Sequence, residues 1–288
     1  MAVNIQTIKD IRLYLTKELI EIYDEPEISA LSNLIIKTVI SISRLHQLYN
    51  NAQPVTSLQA ERIISICKEL KTGKPIQYIL GETIFYDCVI KVNSATLIPR
   101  PETEELVDLI IRENNGYTGK ILDFGTGSGC IAIALAKNLP GSLIEGIDIS
   151  PEAVTLAKEN ASLNNSLVTF RQGDIFSFNT EIKEKAGIIV SNPPYVRNSE
   201  KEFMSKNVLG YEPHTALFVA DSDPLVYYRT ILKIAKNSLL SGGRLYFEIN
   251  EVFGKEMRKL FEDFGYTGVE VIPDINGKER IIKGIKNV

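Results

Sequence analysis

Asn192-Pro193-Pro194-Tyr195 follows the apolar run Ile188-Ile189-Val190, which reads as a buried strand. The prolines fix φ and carry no N–H, so this corner cannot merge into a helix or a sheet ladder. Their carbonyls stay available as acceptors, the Asn192 side chain adds another, and Tyr195 adds a flat apolar face. Such a corner can take both hydrogens of a planar NH2 group and stack on its plane. Amide and aromatic amino nitrogens are poor nucleophiles that need that help. A Pro-Pro pair by itself is more often only a structural turn, so the remaining residues must decide.

Asp123-Phe124-Gly125-Thr126-Gly127-Ser128-Gly129 follows a strand-like run and opens a helix. Its spacing is GxGxG, not the GxGxxG of dinucleotide sites. The acid two positions ahead of the first glycine disfavours a pyrophosphate and suits a cationic ligand. Asp148 ends the next strand, where a carboxylate can take both hydroxyls of a ribose. Ser150 is the better N-cap for the helix that follows. Asp174 ends the third strand, where it can accept from an adenine amino group, with Ile175 or Phe176 as an apolar wall. Gly125, Asp148, Asp174 and Asn192 thus fall just past the carboxyl ends of successive strands, the edge at which open α/β sheets bind ligands. Together they describe a nucleoside held by Asp148 and Asp174, a charged tail beside Gly125–Gly129, and an amine at Asn192. S-adenosylmethionine has these parts.

The elements that must hold this set can be read from periodicity. Residues 1–75 carry apolar residues at helical spacing and form a small helical bundle, expected to bind or position a substrate. Residues 76–98 hold Thr83–Tyr86 and Val89–Val92 around Asp87-Cys88, a hairpin expected to link two domains. Pro101 and the acids of Pro101-Glu102-Thr103-Glu104-Glu105 mark a helix start. From Lys120, strands and helices alternate, so residues 99–288 predict a doubly wound, mostly parallel α/β sheet. The final pair, Val269–Ile272 and Arg280–Ile285, reads as a hairpin that leaves one antiparallel strand at the sheet edge.

Composition narrows the function classes. The 288 residues are 44% hydrophobic and 24% charged, enough for a real core, and the net charge of −4 argues against a long nucleic-acid partner. Cys67, Cys88 and Cys130 form no CxxC, and His46 and His214 stand apart, so neither a disulfide framework nor a zinc site is expected, and no metal is assigned. No apolar stretch reaches membrane-spanning length and Met1–Asp10 has no signal core, so a cytoplasmic enzyme is the default.

Five segments in order also carry a family likeness: Gly73–Gly81, Leu97–Glu104, Asp123–Gly129, Asn192–Tyr195 and Tyr211-Glu212-Pro213. On these the chain resembles the release-factor glutamine methyltransferases, the PrmC/HemK family, along nearly its full length. The resemblance implies a Rossmann-like class I methyltransferase sheet behind an N-terminal helical domain. It implies S-adenosylmethionine as cofactor, S-adenosylhomocysteine as product, and class I peptide chain release factors as the protein substrate, methylated on the Gly-Gly-Gln glutamine. Cofactor contacts fall on Gly125, Thr126, Gly127, Ser128, Gly129, Asp148, Asp174, Ile175 and Asn192. Substrate contacts fall on Asn192, Pro193, Pro194 and Tyr195, of which Asn192, Pro193 and Tyr195 are the expected catalytic set. Two positions depart from the family pattern: Ile175 stands where an aromatic is common, and Val219-Ala220 where a glycine pair is common.

The expected reaction is direct in-line methyl transfer, with Asn192 and the Pro193 carbonyl accepting the two amide hydrogens and Tyr195 packed on the amide plane. Two other classes use parts of this pattern. An adenine-N6 methyltransferase would present the same corner to a flipped base, against which the acidic balance and the helical domain count. A non-catalytic nucleoside- or NAD-binding module would need no corner at all. A monomer without membrane or direct nucleic-acid contacts is expected.

Overall fold

The protein is described from a computed structural model over residues 5–177 and 184–287. The chain separates into two compact units, one running to Leu80 and including Lys206–Tyr211, the other comprising Gly81–Ser205 and Glu212 onward.

The first unit is helical: α1 (Ile8–Leu19), α2 (Glu25–Ile40), α3 (Arg44–Tyr49), α4 (Ser57–Leu70) and α5 (Ile76–Leu80). Its helix starts are written in the sequence. Thr7 and Asp10 cap α1 reciprocally, Thr56 and Gln59 do the same for α4, and Asp24 caps α2 with Pro26 in the first turn. Ile8, Ile11, Leu15 and Leu19 form the buried stripe of α1 and meet Ile35, Ile36, Ile63, Ile66 and Leu70. Leu13 and Ile20, equally apolar, point outward at 60% and 46% exposure. The short α5 lies in the segment expected to link the domains, yet Ile76 and Ile79 join this core. The Tyr211 hydroxyl donates to the Thr72 carbonyl at 3.0 Å and ties Lys206–Tyr211 to the same unit.

The second unit opens with the hairpin β1 (Glu82–Phe85) and β2 (Cys88–Lys91). The two-residue turn is Tyr86-Asp87, with φ of 44° and 60°, one position earlier than the sequence suggested. Such turns need positive φ at both central residues. The hairpin belongs to this unit. Asn160 and Asn164, one helical turn apart, donate to and accept from the backbones of Lys91 and Val89 at 2.7–3.1 Å. Then come α6 (Pro101–Glu113), β3 (Lys120–Phe124), α7 (Cys130–Asn138), β4 (Leu143–Asp148), α8 (Pro151–Leu163), β5 (Val168–Gln172), β6 (Ala186–Ser191), β7 (Val196–Arg197), α9 (Lys206–Tyr211), β8 (Phe218–Val219), α10 (Val226–Ser238), β9 (Leu239–Glu248), α11 (Gly254–Asp263), β10 (Tyr266–Pro273) and β11 (Glu279–Lys286).

Seven strands form one sheet in the order β10-β11-β9-β6-β3-β4-β5. All pairings from β9 to β5 are parallel, and β11 runs antiparallel to both β9 and β10. The antiparallel strand is therefore one place in from the edge, because the last hairpin puts β10 outermost. One layer of the core joins Leu122, Ile189, Leu245 and Phe247 of the sheet to Tyr228, Ile231 and Leu232 of α10 and Phe261 of α11. From β3 the chain moves out to β4 and β5, then returns to β6 on the other flank of β3. That reversal places the loops after β3 and β6 side by side, at the kind of switch point where α/β sheets open a crevice.

Candidate active site

A cavity of about 270 Å³ opens at the carboxyl edge of β3, β4 and β6. Gly125, Thr126, Gly127, Ser128, Asp148, Asp174, Ile175, Asn192, Pro193 and Pro194 all line it. Gly129 and Tyr195 stand outside its wall.

The loop after β3 is held by its neighbours. The N–H groups of Gly125 and Thr126 donate to the Ile147 carbonyl at 2.8 and 3.1 Å, and the Asn160 amide donates to the Ser128 carbonyl at 2.9 Å. Gly125 and Gly127 have φ of 72° and 54°, and a Cβ added to either would meet nothing within 4 Å. Backbone thus faces open cavity there, the cradle a close-lying ligand requires. Gly129 differs. A Cβ there would lie 2.9 Å from the Phe170 ring and 3.1 Å from Ala157 Cβ, so this glycine serves helix–sheet packing at the start of α7.

Asp123 was expected to face the ligand and does not. It is fully buried under the loop, where the Thr126 hydroxyl donates to its carboxyl at 2.6 Å. Burial pushes this carboxyl up to about 7, with Thr126 pulling it down and the charge of Asp148 pushing it further up. The acid that lines the cavity is Asp148, half-buried. Its Oδ2 accepts from the Gly127 N–H at 2.8 Å and its Oδ1 from the Ser150 N–H at 3.0 Å. Burial raises its pKa, and those two N–H groups hold it back. An ionised carboxylate offers about four lone-pair sites, so acceptor capacity remains on both oxygens. Asp174 accepts from the Phe176 N–H at 2.9 Å and the Ser177 hydroxyl at 3.0 Å, closing its own turn on the cavity rim. Ile175 packs against the sheet core, while Phe176 is half exposed and meets Tyr227 edge-on at 5.2 Å. Cys130 also lines the cavity, but burial pushes its thiol up to about 12, so it stays neutral.

At the corner after β6, the Asn192 amide donates to Thr103 Oγ1 at 3.2 Å. The Thr103 hydroxyl donates to Glu248 Oε2 at 2.7 Å, and the Tyr195 hydroxyl donates to Glu248 Oε1 at 3.0 Å. Tyr195 lies outside the cavity wall, packs against the core and gives its hydroxyl to Glu248. Burial, then the Glu248 charge, raise the Tyr195 pKa. Glu248 is itself 1% exposed. Burial raises its pKa, and the two hydroxyl donors and Arg280 pull it back.

Thr103, Glu248, Arg100 and Tyr227 were not among the expected site residues. Arg100 and Thr103 sit in the Leu97–Glu104 motif, and Glu248 is a lone acid at the end of an apolar strand, so a signal existed for these three. Arg100 pairs with buried Glu212, whose other oxygen accepts from the Ile98 N–H at 3.1 Å, fixing the segment that roofs the cavity. Tyr227 gave no signal beyond the apolar pattern of its helix.

The fold and the sequence have counterparts among known proteins. The family signature of the methyltransferase small domain matches residues 103–210, and that of the PrmC N-terminal domain matches residues 10–81. A methyltransferase of known structure from Pyrococcus furiosus aligns with a TM-score of 0.52 at 17% identity, over 81% of this chain and 100% of that one, a likeness of fold alone. The release factor glutamine methyltransferase of Bacteroides thetaiotaomicron is 43% identical over 94% of this chain and 98% of its own. That of Flavobacterium psychrophilum is 45% identical over 96% of this chain and 98% of its own. Likeness of that degree over nearly the whole chain means that the chain belongs to the release factor glutamine methyltransferase family.

Proposed function

We propose that this enzyme methylates the side-chain amide nitrogen of the glutamine in the Gly-Gly-Gln motif of class I peptide chain release factors. The observation that carries the reading is the meeting of two half-sites in one cavity, the glycine loop with Asp148 on one side and Asn192-Pro193-Pro194 on the other. The residues suit S-adenosylmethionine. Open backbone at Gly125 and Gly127 admits the amino-acid tail, Asp148 keeps lone pairs for the ribose hydroxyls, and Ile149 and Ile175 offer apolar walls to the adenine. When bound, that cofactor supplies an electrophilic methyl on a cationic sulfur and leaves as S-adenosylhomocysteine.

The chain's own contribution is positional and electrostatic. Asn192 Oδ1 accepts one hydrogen of the glutamine amide and the Pro193 carbonyl the other. Both interactions strengthen as the nitrogen gains positive charge, so they favour the transition state over the ground state. Transfer of that methyl would form the C–N bond as the S–C bond broke, and one amide proton would leave to water. Tyr195 acts from behind, through Glu248. The helical unit, residues 1–75 with α5, serves to dock the protein substrate. A substrate of the translation machinery places the enzyme in the cytoplasm.

The test is mass spectrometry of purified release factor after incubation with enzyme and cofactor. One added methyl on the Gly-Gly-Gln glutamine is expected. Asn192→Ala should keep cofactor affinity within a few-fold and lose most turnover. Methyl transfer to DNA or RNA adenine with the release factor left unmodified would overturn the assignment.

A further inference from the structure

An asparagine amide can turn either end to a cavity, and only its oxygen can accept from an incoming NH2 group. Nothing about Asn192 itself makes that choice. The chain of donors behind it does. Glu248 has a hydroxyl donor on each oxygen, Tyr195 at 3.0 Å and Thr103 at 2.7 Å. Thr103 owns one hydroxyl hydrogen, and a carboxylate can only accept, so that hydrogen is committed to Glu248. Thr103 Oγ1 is left with lone pairs alone toward Asn192. Only the Nδ2 end of the amide can satisfy them, as it does at 3.2 Å. Turning the amide over would set oxygen against oxygen in a buried place, where Thr103 is 2% and Glu248 1% exposed.

We infer that Thr103 and Glu248 are positioning residues whose sequence of hydrogen bonds fixes Asn192 with its oxygen toward the substrate nitrogen. The inference rests on the reading of Asn192 as the amide acceptor. Neither residue has to touch the reacting atoms, and both act through Asn192. Glu248→Gln is then more than a loss of charge. The new amide can keep Tyr195 on its oxygen and donate to Thr103 Oγ1. That frees the Thr103 hydrogen to donate to Asn192 Oδ1 and reverses the sense of the chain.

The experiment measures turnover on release factor, cofactor affinity by calorimetry, and the side-chain NH2 signal of Asn192 in 15N-labelled enzyme, assigned by its loss in Asn192→Ala. Thr103→Val keeps shape and removes the hydroxyl. It should lower kcat about 10- to 100-fold, change cofactor affinity less than about two-fold, and speed hydrogen exchange of the Asn192 amide. Thr103→Ser should restore kcat to within about three-fold and restore the slow exchange. Glu248→Gln should lose at least about 10-fold in kcat. In an Asn192→Ala background, Thr103→Val should cost no more than about a further two-fold, because its route of action is already gone. Wild-type kcat in Thr103→Val, equal losses in Thr103→Ser and Thr103→Val, or losses that multiply in the double variant would each overturn the inference. The NH2 exchange tests it without turnover, so an enzyme that left release factors unmethylated would refute the proposed reaction while this measurement still decided the positioning role.

Discussion

Three glycines stand in one loop, and the structure assigns them different work, which a pair of alanine substitutions separates. Gly127 has φ of 54°, and a Cβ there meets no atom within 4 Å. Gly127→Ala therefore carries the left-handed backbone cost alone, about 1–2 kcal/mol. Gly129 has φ of 81°, and its Cβ would lie 2.9, 3.1 and 3.2 Å from Phe170, Ala157 and Ile133. Gly129→Ala adds an overpacking cost of about 1–3 kcal/mol to the same backbone cost. At about 2–4 °C per kcal/mol for a cooperative unit of this size, Gly129→Ala should melt roughly 5 °C below Gly127→Ala. Binding should follow the opposite order. The methyl of Gly127→Ala enters the cavity and should weaken S-adenosylmethionine by at least about ten-fold. Gly129→Ala, assayed well below its melting point, should stay within about three-fold of wild type. Differential scanning fluorimetry and calorimetric titration give both numbers. Equal melting losses, or intact binding in Gly127→Ala beside lost binding in Gly129→Ala, would refute the division of labour.

Asp148→Asn keeps the side-chain shape but can satisfy only one of the two N–H groups on its oxygens, besides losing charge-assisted acceptors for the ribose. Cofactor affinity should fall about 10- to 100-fold, read by titration, and an unchanged Kd would rule out the ribose role. Asp123 holds its proton to about 7 when folded and to about 4 when unfolded. The native state thus binds the extra proton between those values, and this group's contribution to stability is full below about pH 4 and falls as pH rises to 7. Relative to Asp123→Asn, the wild type should lose roughly 2–3 kcal/mol between pH 5 and 7.5 in urea unfolding; a parallel pH dependence of the two proteins would exclude that proton. Leu13, exposed on α1, should matter only to docking. Leu13→Glu should raise KM for whole release factor several-fold and leave a short Gly-Gly-Gln peptide unaffected, and equal effects on both substrates would argue against docking through this face.

The sheet was legible where punctuation and pattern agreed. β4 sits between Pro140-Gly141 and Ser150-Pro151, and it ends at Asp148 as read from sequence. β9 begins at Leu239, a start that the sequence hides because Gly242-Gly243 inside it reads as a turn. Tyr86-Asp87 was hidden for the opposite reason: two non-glycine residues adopt positive φ, and no residue type announces it. β7 and β8, two residues each, are too short for any period. At the cavity, Gly125, Asp148, Asp174 and Asn192 share one wall, as their place after successive strands implied, whereas Thr103 and Glu248 were not read. Thr103 and Glu248 lie 145 positions apart and meet only through the packing of α6 against β9.

Three acids at or near strand ends show what such residues do and do not reveal. Asp123 lies one residue before the end of β3, while Asp148 ends β4 and Glu248 ends β9. Sequence treats them alike, and the two nearest the glycine loop were both expected to meet the ligand. Their partners set them apart. Asp123 is closed off by Thr126 and carries a raised pKa, so it braces the loop from beneath. Asp148 accepts from two backbone N–H groups and still faces the cavity with lone pairs to spare. Glu248 accepts one hydroxyl on each oxygen but is 1% exposed and lies off the cavity wall, so its influence can reach the substrate only through the donors it holds. The access of each acid to the cavity and the partners it holds, more than its place in the strand, determine whether it binds, braces or orients.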